Sequence, residues 1–101
     1  MKMLITTRTR ESFSALPEDK QTQLLQAAIA FAEKYKKSGE CKALYTTGAI
    51  KGTVSIWDIA GDEVMTQRTF ENPMSPYMDI EYQPIYEWHS VIKALGEFLK
   101  G

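Results

Sequence analysis

The stretch that decides the fold is NPMSPYMDIEYQPIYEWH, residues 72–89, in which two prolines lead into an alternating segment. Pro73 and Pro76 restrict the backbone before residues 77–82, whose side chains alternate in character as those of a β-strand do. Pro84 lies within the same strand, and a proline cannot donate a hydrogen bond to a neighbouring strand. The stretch therefore predicts a strand at the edge of a sheet.

The residues before and after this strand predict the rest of the fold. Apolar residues recur at three- and four-residue spacing in the first long helix, and short β-branched or apolar runs indicate the other strands. Right-handed crossovers then place the first and third strands at the centre of a four-stranded antiparallel sheet. The order is β-α-β-β-α-β plus a C-terminal helix, an α+β ferredoxin-like fold, with residues 1–101 as a single domain. Strands are predicted over residues 2–8, 41–47 and 53–59, and helices over residues 17–37, 62–71 and from residue 90 onward.

Two helices can cover only one face of this sheet. In the third strand Val54 and Ile56 point one way, while Thr53, Ser55 and Trp57 point the other, and either set could face the helices. The remaining face needs cover of its own. A second subunit packing sheet to sheet would supply it, so we expect at least a homodimer, in the form of a dimeric α/β barrel.

Charge and composition limit the partners. Twelve basic and thirteen acidic side chains leave a net charge of −1, which argues against nucleic acid or an anionic membrane as the main partner. The absence of a long apolar run predicts neither a signal peptide nor a membrane span, so we expect a cytoplasmic protein. The chain has one cysteine, Cys41, and one histidine, His89, so we expect neither an internal disulfide nor a metal site.

PYMDIE, residues 76–81, resembles a run of the muconolactone isomerase family, whose members carry Phe-Pro-Tyr-Met-Asp-Ile-Glu in this place. KQTQL, residues 20–24, is similar to a Lys-x-Thr-Gln-Leu segment in the first helix of that family. The resemblance extends over residues 17–81. The single positions that also match the family are Gly39, Leu44, Ser55 and Asp58.

The resemblance implies both an assembly and an activity. It implies ferredoxin-like subunits that form dimeric barrels within a larger, ring-like homo-oligomer. The implied reaction moves the double bond of a small unsaturated lactone in aromatic-compound catabolism and needs no cofactor. In it a base removes a proton from the γ carbon, hydrogen-bond donors or cations hold the dienolate oxygens, and the proton returns at the α carbon. A cation for the substrate carboxylate is also expected.

Three residues are candidates for the proton transfer. Asp79 and Glu81 are two positions apart and share a strand face, and a carboxylate in a partly apolar cleft can serve as a base. His89 is the one side chain of the sequence that ordinarily titrates near neutral pH. The alternatives are a solvated side of an edge strand for the two acids, and a helix-start residue bonded to backbone for the histidine.

The candidate substrate-binding residues are two cations for a carboxylate and four side chains for a pocket wall. The alternative for the two cations is a solvated position on the surface, and the alternative for the apolar and aromatic side chains is the core or a subunit interface. The six residues are Arg8, Lys42, Tyr45, Trp57, Tyr77 and Met78.

The second predicted strand suggests an alternative function. Members of the resembled family are rich in Trp, Arg and His there, whereas this chain has CKALYT at residues 41–46. Only Lys42 keeps a charge and only Tyr45 keeps an aromatic ring. The alternative is a non-catalytic small-molecule-binding or oligomeric interaction protein that has the fold without the isomerase residues.

Overall fold

A computed structural model describes the backbone of residues 1–101 and every side chain except that of Ile50. The sheet has four antiparallel strands in the order β2-β3-β1-β4, so β1 and β3 are central and β4 is an edge strand, as predicted. The strands are β1 (Lys2–Thr9), β2 (Cys41–Thr46), β3 (Gly52–Asp58) and β4 (Met78–Pro84). The helices are α1 (Glu11–Ser14), α2 (Glu18–Ser38), α3 (Asp62–Glu71) and α4 (Trp88–Leu99).

The observed elements differ from the predicted ones in two places. Between β1 and the first long helix, where the sequence predicted no helix or strand, the structure has the short helix α1, which buries Phe13. The last helix begins at Trp88, two residues earlier than expected, and Glu87 precedes its first turn. The other bounds agree with the prediction to within one or two residues.

Helix α2 covers one face of the sheet, and the sequence defines both of its ends. Pro17 precedes its first turn, which carries two acidic residues, and its last turn carries two lysines, so both ends suit the helix dipole. Gly39 ends the helix in a left-handed conformation, with φ of 87°, that glycine adopts without steric cost. The chain then turns directly into β2.

The core between α2 and the sheet is centred on Trp57. Its ring centroid lies 6.0 Å from that of Phe31 and 5.7 Å from that of Tyr35, both on α2. Its indole Nε1 donates to the hydroxyl of Ser55, 3.0 Å away. Of the two possible orientations of β3, the structure therefore has Ser55 and Trp57 facing the helices. The other buried members of this cluster are Met3, Ile5, Cys41, Ile59 and Met65.

A second buried cluster lies at the other end of the sheet. It comprises Phe13, Met74 and Met78, with the ring of Tyr77 packed edge-on against Phe13 at 6.3 Å. A 3-10 turn over Ser75–Tyr77 leads into β4, so the proline-rich approach delivers Met78 to the core. The segment that leads into the edge strand β4 therefore also contributes Tyr77 and Met78 to this end of the core.

The opposite face of the sheet, which we call the open face, is half-buried or exposed. Register pairs Leu4 with Ile56, Thr6 with Val54 and Glu81, and Arg8 with Asp79, so all these side chains share one face. Its centre is apolar and its β4 side is acidic. The members of the open face are Leu4, Thr6, Arg8, Val54, Ile56, Asp79 and Glu81.

Helix α4 extends from the body of the protein. All its residues are exposed except Gly96, which is half-buried. The molecule measures 60 × 26 × 21 Å, and its radius of gyration of 16.6 Å exceeds the value of about 13 Å that is usual for a compact chain of this length. The elongation reflects a helix that the rest of the chain does not cover.

Gly52 offers a test of the central strand pairing. A Cβ atom at this position would overlap the backbone carbonyl of Thr7, whereas one at Gly48, in the preceding turn, would meet open space. Gly52→Ala should lower the free energy of unfolding by about 1–3 kcal/mol, and Gly48→Ala should change it by less than about 0.5 kcal/mol. Urea denaturation measures both. Equal stability of the two variants would contradict the close β1–β3 approach.

Candidate functional site

A cavity of about 470 Å³ lies between the helices and the covered face of the sheet. This volume falls within the range of about 300–1,000 Å³ that is typical of small-molecule sites. The sheet forms its floor, α2 forms one wall, and α3 with the following segment forms the other. The large apolar side chains of its lining include Ile5, Leu25, Ile29, Phe31, Leu44, Trp57, Met65, Met74, Met78 and Ile80.

The polar groups of the cavity are mostly hydroxyls that bond to one another. The hydroxyls of Thr7 and Thr53 lie 2.7 Å apart on adjacent strands. Those of Thr69 and Tyr82 are also hydrogen-bonded and connect α3 to β4. Such pairs can accept or donate one further hydrogen bond each, so they can orient a ligand without adding charge.

Arg68 of α3 is the cation that lines the cavity. Its Nε and Nη2 donate to the two carboxylate oxygens of Glu40 at 3.1 and 3.0 Å, which fixes the plane of the guanidinium. The group stacks over the ring of Tyr35, 4.4 Å from its centroid. Its Nη1 is 4.0 Å from the carboxylate of Glu71, beyond hydrogen-bond distance. Arg68 thus has one edge held by the protein and donors left on the other.

Glu71 joins Arg68 to a second cluster at the end of α3. Its carboxylate accepts hydrogen bonds from the hydroxyl of Tyr35 and, at 2.9 Å, from Nζ of Lys34. The Tyr35 hydroxyl and then Lys34 lower the pKa of Glu71, while burial and this same hydrogen bond raise the pKa of Tyr35. Glu71 therefore stays anionic and Tyr35 stays a neutral donor around neutral pH.

Two of the predicted site residues, Trp57 and Met78, line the cavity. Tyr77 lies beside it, against Phe13, and borders a separate shallow hollow near the start of α2. Lys42 is exposed on β2. Tyr45 is 67% exposed and pairs in register with Val54, on the side of the open face.

The other predicted residues lie outside the cavity. Asp79 and Glu81 share a face, as expected, but it is the open face, on the far side of the sheet. Asp79 accepts a hydrogen bond from Nε of Arg10 at 2.8 Å and is opposite Arg8 in register. His89 is exposed on α4. The predicted acids and Arg8 are thus together, but separated from Trp57 by the sheet.

Sequence analysis missed Arg68, although helical spacing contains the signal. Arg68 follows Val64 by four positions and Met65 by three, and both of those apolar residues pack into the core. A basic residue on the inward stripe of a short helix points a charge toward the core.

The titratable side chains of the cavity are few. Among the described lining residues they are Cys41, Arg68 and Tyr82, with no carboxylate or imidazole. Burial raises the pKa of the Cys41 thiol, which keeps it protonated and a poor base. Apart from the undescribed Ile50, the chain also contains no group of three His, Cys, Asp or Glu side chains arranged to hold a metal ion.

Within the part of the chain that the structure describes, no helix combines the length and apolar character needed to span a bilayer.

Comparisons with known proteins give a consistent match. The family model described as muconolactone delta-isomerase matches residues 1–91. A crystal structure of muconolactone isomerase is similar with a TM-score of 0.73 and 23% identity, over 86% of this chain and 90% of that one. A 5-chloro-2-hydroxyhydroquinone dehydrochlorinase from Burkholderia phenoliruptrix AC1100, in complex with 2,5-dihydroxybenzoquinone, is similar with a TM-score of 0.70. It is 14% identical, over 89% of this chain and 98% of that one. A comparison with curated proteins found no match.

The cluster around Glu71 predicts how stability depends on pH. Because the folded state lowers the pKa of Glu71, its stabilisation is present above the pH where glutamate ordinarily titrates, about 4.3, and is lost as pH falls through the folded-state pKa. Glu71→Gln should therefore lose less stability than the parent chain between pH 6 and pH 3. The difference should be below about 1 kcal/mol, because the side chain is 37% exposed.

Urea denaturation at several pH values measures this difference. Glu33→Gln, an exposed position within α2 and away from both helix ends, is the matched control and should follow the parent chain. If the free energy of unfolding of Glu71→Gln fell between pH 6 and pH 3 by as much as that of the parent chain, the proposed stabilisation by ionised Glu71 would be contradicted.

Proposed function

The chain belongs to the muconolactone delta-isomerase family, and we propose that it acts on a small unsaturated lactone or related acid held in the cavity. The single observation that carries this proposal is an apolar cavity of ligand size with one cation, Arg68, on its wall. Trp57 and Met78 provide flat and adaptable apolar contacts for a ring. The family suggests a place in the breakdown of aromatic compounds.

The proposed reaction is a cofactor-free allylic proton transfer. A base takes the proton from the γ carbon of the lactone, the electrons move to give a dienolate, and the proton is delivered to the α carbon. Nη1 of Arg68 has donors for the substrate carboxylate or for a dienolate oxygen, since Glu40 occupies the opposite edge of the guanidinium. The paired hydroxyls of Thr7 and Thr53 offer neutral donors across the floor.

The proposed reaction also requires a group that carries the proton. Within the described lining, Tyr82 and Cys41 belong to the residue types that serve as general acids or bases in proton transfer. Asp79 and Glu81 lie across the sheet, and His89 lies on the projecting α4. Those three predicted residues would reach a ligand only where two copies of the chain meet.

Pairing of open faces is part of this proposal. Leu4, Val54 and Ile56 form an apolar centre that is half-buried in a single copy, and a second copy packed sheet to sheet would cover it as a dimeric α/β barrel. Such pairing would bury Arg8 and Asp79 near one another at its margin.

A second function is favoured by one observation. The described lining contains no carboxylate or imidazole, which suits a non-catalytic small-molecule-binding protein better than a proton-transfer enzyme. Incubation of the protein with muconolactone in D2O separates the two functions. Catalysis should give isomerised lactone or deuterium at the γ carbon, whereas binding by calorimetry without exchange would leave only the binding function.

Replacing Arg68 should identify the cation that the ligand uses. Arg68→Gln should weaken binding of muconolactone by roughly ten- to a hundredfold, because a charge-assisted hydrogen bond contributes about 1.5–3 kcal/mol. Arg8→Gln, on the open face, is the matched control and should leave affinity within about twofold. Calorimetry gives both values.

Two further measurements keep this test interpretable. Arg68→Lys retains the charge but not the guanidinium geometry, so intermediate affinity would indicate a directional contact. Circular dichroism should show that each variant is folded, since Glu40 loses its partner. Weakened binding in Arg8→Gln with normal binding in Arg68→Gln would reject the cavity as the binding site.

A further inference from the structure

Three threonines form a row across the covered face of the sheet. Thr46 on β2 pairs in register with Thr53 on β3, and Thr53 pairs with Thr7 on β1, so their side chains stand next to one another. All three line the cavity. Thr7 and Thr53 are half-buried and Thr46 is exposed, so the row lies where this end of the cavity meets solvent. We call these three residues the threonine row.

The threonine row is at the opposite end of the cavity from the guanidinium of Arg68. That group is stacked on Tyr35, whose ring centroid lies 5.7 Å from that of Trp57. Trp57 follows Thr53 by four positions on β3, and four residues of a strand extend about 13 Å. Among the described lining residues Arg68 is the one charged side chain. One end of the cavity is therefore cationic, and the other end carries neutral hydroxyls.

The floor between these two ends offers few polar groups to a ligand. The next row along the strands consists of Leu44, Ser55, Ile5 and Tyr82. Ser55 is only 5% exposed, and its hydroxyl accepts the hydrogen bond of the Trp57 indole. Tyr82 lies on the edge strand and is hydrogen-bonded to Thr69. A ligand that lies along the cavity therefore has its polar partners at its two ends and an apolar floor between them.

The threonine row has a hydrogen-bond donor to spare. Oγ1 of Thr7 accepts from the backbone N–H of Thr53 at 3.1 Å, and the two hydroxyls share a further hydrogen bond at 2.7 Å. The two hydroxyls have two protons, and their shared bond uses one of them in whichever direction it runs. The other proton is left for a partner outside the pair, and an oxygen atom of a ligand in the cavity can accept it.

We propose that the threonine row is a second subsite of the cavity, which binds an uncharged oxygen at the end of the ligand remote from its carboxylate. A ligand with one hydrogen bond at each end spans roughly 8–10 Å between its carboxylate and that oxygen. The ligand class is therefore a flat, unsaturated monocarboxylate with a hydroxyl or carbonyl oxygen at its far end. This inference rests on the proposed function, because Arg68 is taken as the cation that binds the carboxylate.

Matched pairs of ligands test the subsite in the parent chain. para-Hydroxycinnamate has a carboxylate and a hydroxyl at opposite ends of a flat frame of this length, and para-methylcinnamate has a methyl group of similar size in place of the hydroxyl. para-Hydroxybenzoate and para-methylbenzoate form a shorter pair that cannot reach both ends. By calorimetry, the affinity of the hydroxyl compound relative to the methyl compound should be roughly three- to tenfold higher in the longer pair than in the shorter one. An equal effect in the two pairs, or no binding of para-hydroxycinnamate, would overturn the proposal.

A variant without the two paired hydroxyls locates the oxygen. Thr7→Val/Thr53→Val keeps side chains of similar shape that favour strands, and both residues are replaced because either hydroxyl alone would keep a free proton. The affinity of para-hydroxycinnamate relative to para-methylcinnamate should fall by roughly three- to tenfold. Thr6→Val, on the opposite face of β1, is the matched control and should keep the ratio of the parent chain.

Urea denaturation checks that each variant is folded, and the two ligand pairs decide the question in the parent chain if the double variant is unstable. A folded double variant with the parent ratio would overturn the proposal. Such a result together with Arg68-dependent binding of muconolactone would reject the threonine subsite and retain the proposed function. A threonine-dependent ratio in a protein that isomerises none of the lactones would retain the subsite and reject the isomerase reaction.

Discussion

The contact on which the rest of the structure depends is the packing of Trp57 against Phe31 and Tyr35. This contact commits one face of β3, and with it one face of the whole sheet, to α2. Tyr35 in turn is hydrogen-bonded to Glu71 and carries the stacked guanidinium of Arg68, so the same contact positions α3. Tyr35 therefore joins the hydrophobic core to the charged cluster. The cavity is the space between these helices and the sheet.

The constraint on β3 also explains why the site candidates divide into two groups. Side chains of adjacent strand residues point to opposite faces, so once Trp57 faces the helices, Arg8, Asp79 and Glu81 must face away. A lone sheet with one covered face leaves an apolar area on the other, and α4 adds a second uncovered area at its end. The uncovered apolar area of the open face is the observation that supports the proposed pairing of two copies.

Much of the fold could be predicted because its signals are local. Pro84 identified β4 as an edge strand, and helical periodicity identified α2. The spacing of Asp79 and Glu81 correctly gave them a common face, but no local pattern states which face of a strand meets a helix, since Val54 and Ile56 are as apolar as the alternative set. Arg68 was missed because its role depends on Glu40 and Tyr35, which are distant in sequence and near only in the folded chain.

We propose that ligands bind in the helix-side cavity rather than on the open face. Crystals of the protein soaked with muconolactone distinguish the two locations, because these are on opposite sides of the sheet. We expect ligand density against Trp57, with the carboxylate at Nη1 of Arg68. Density confined to the open face, beside Arg8 and Asp79, would contradict it.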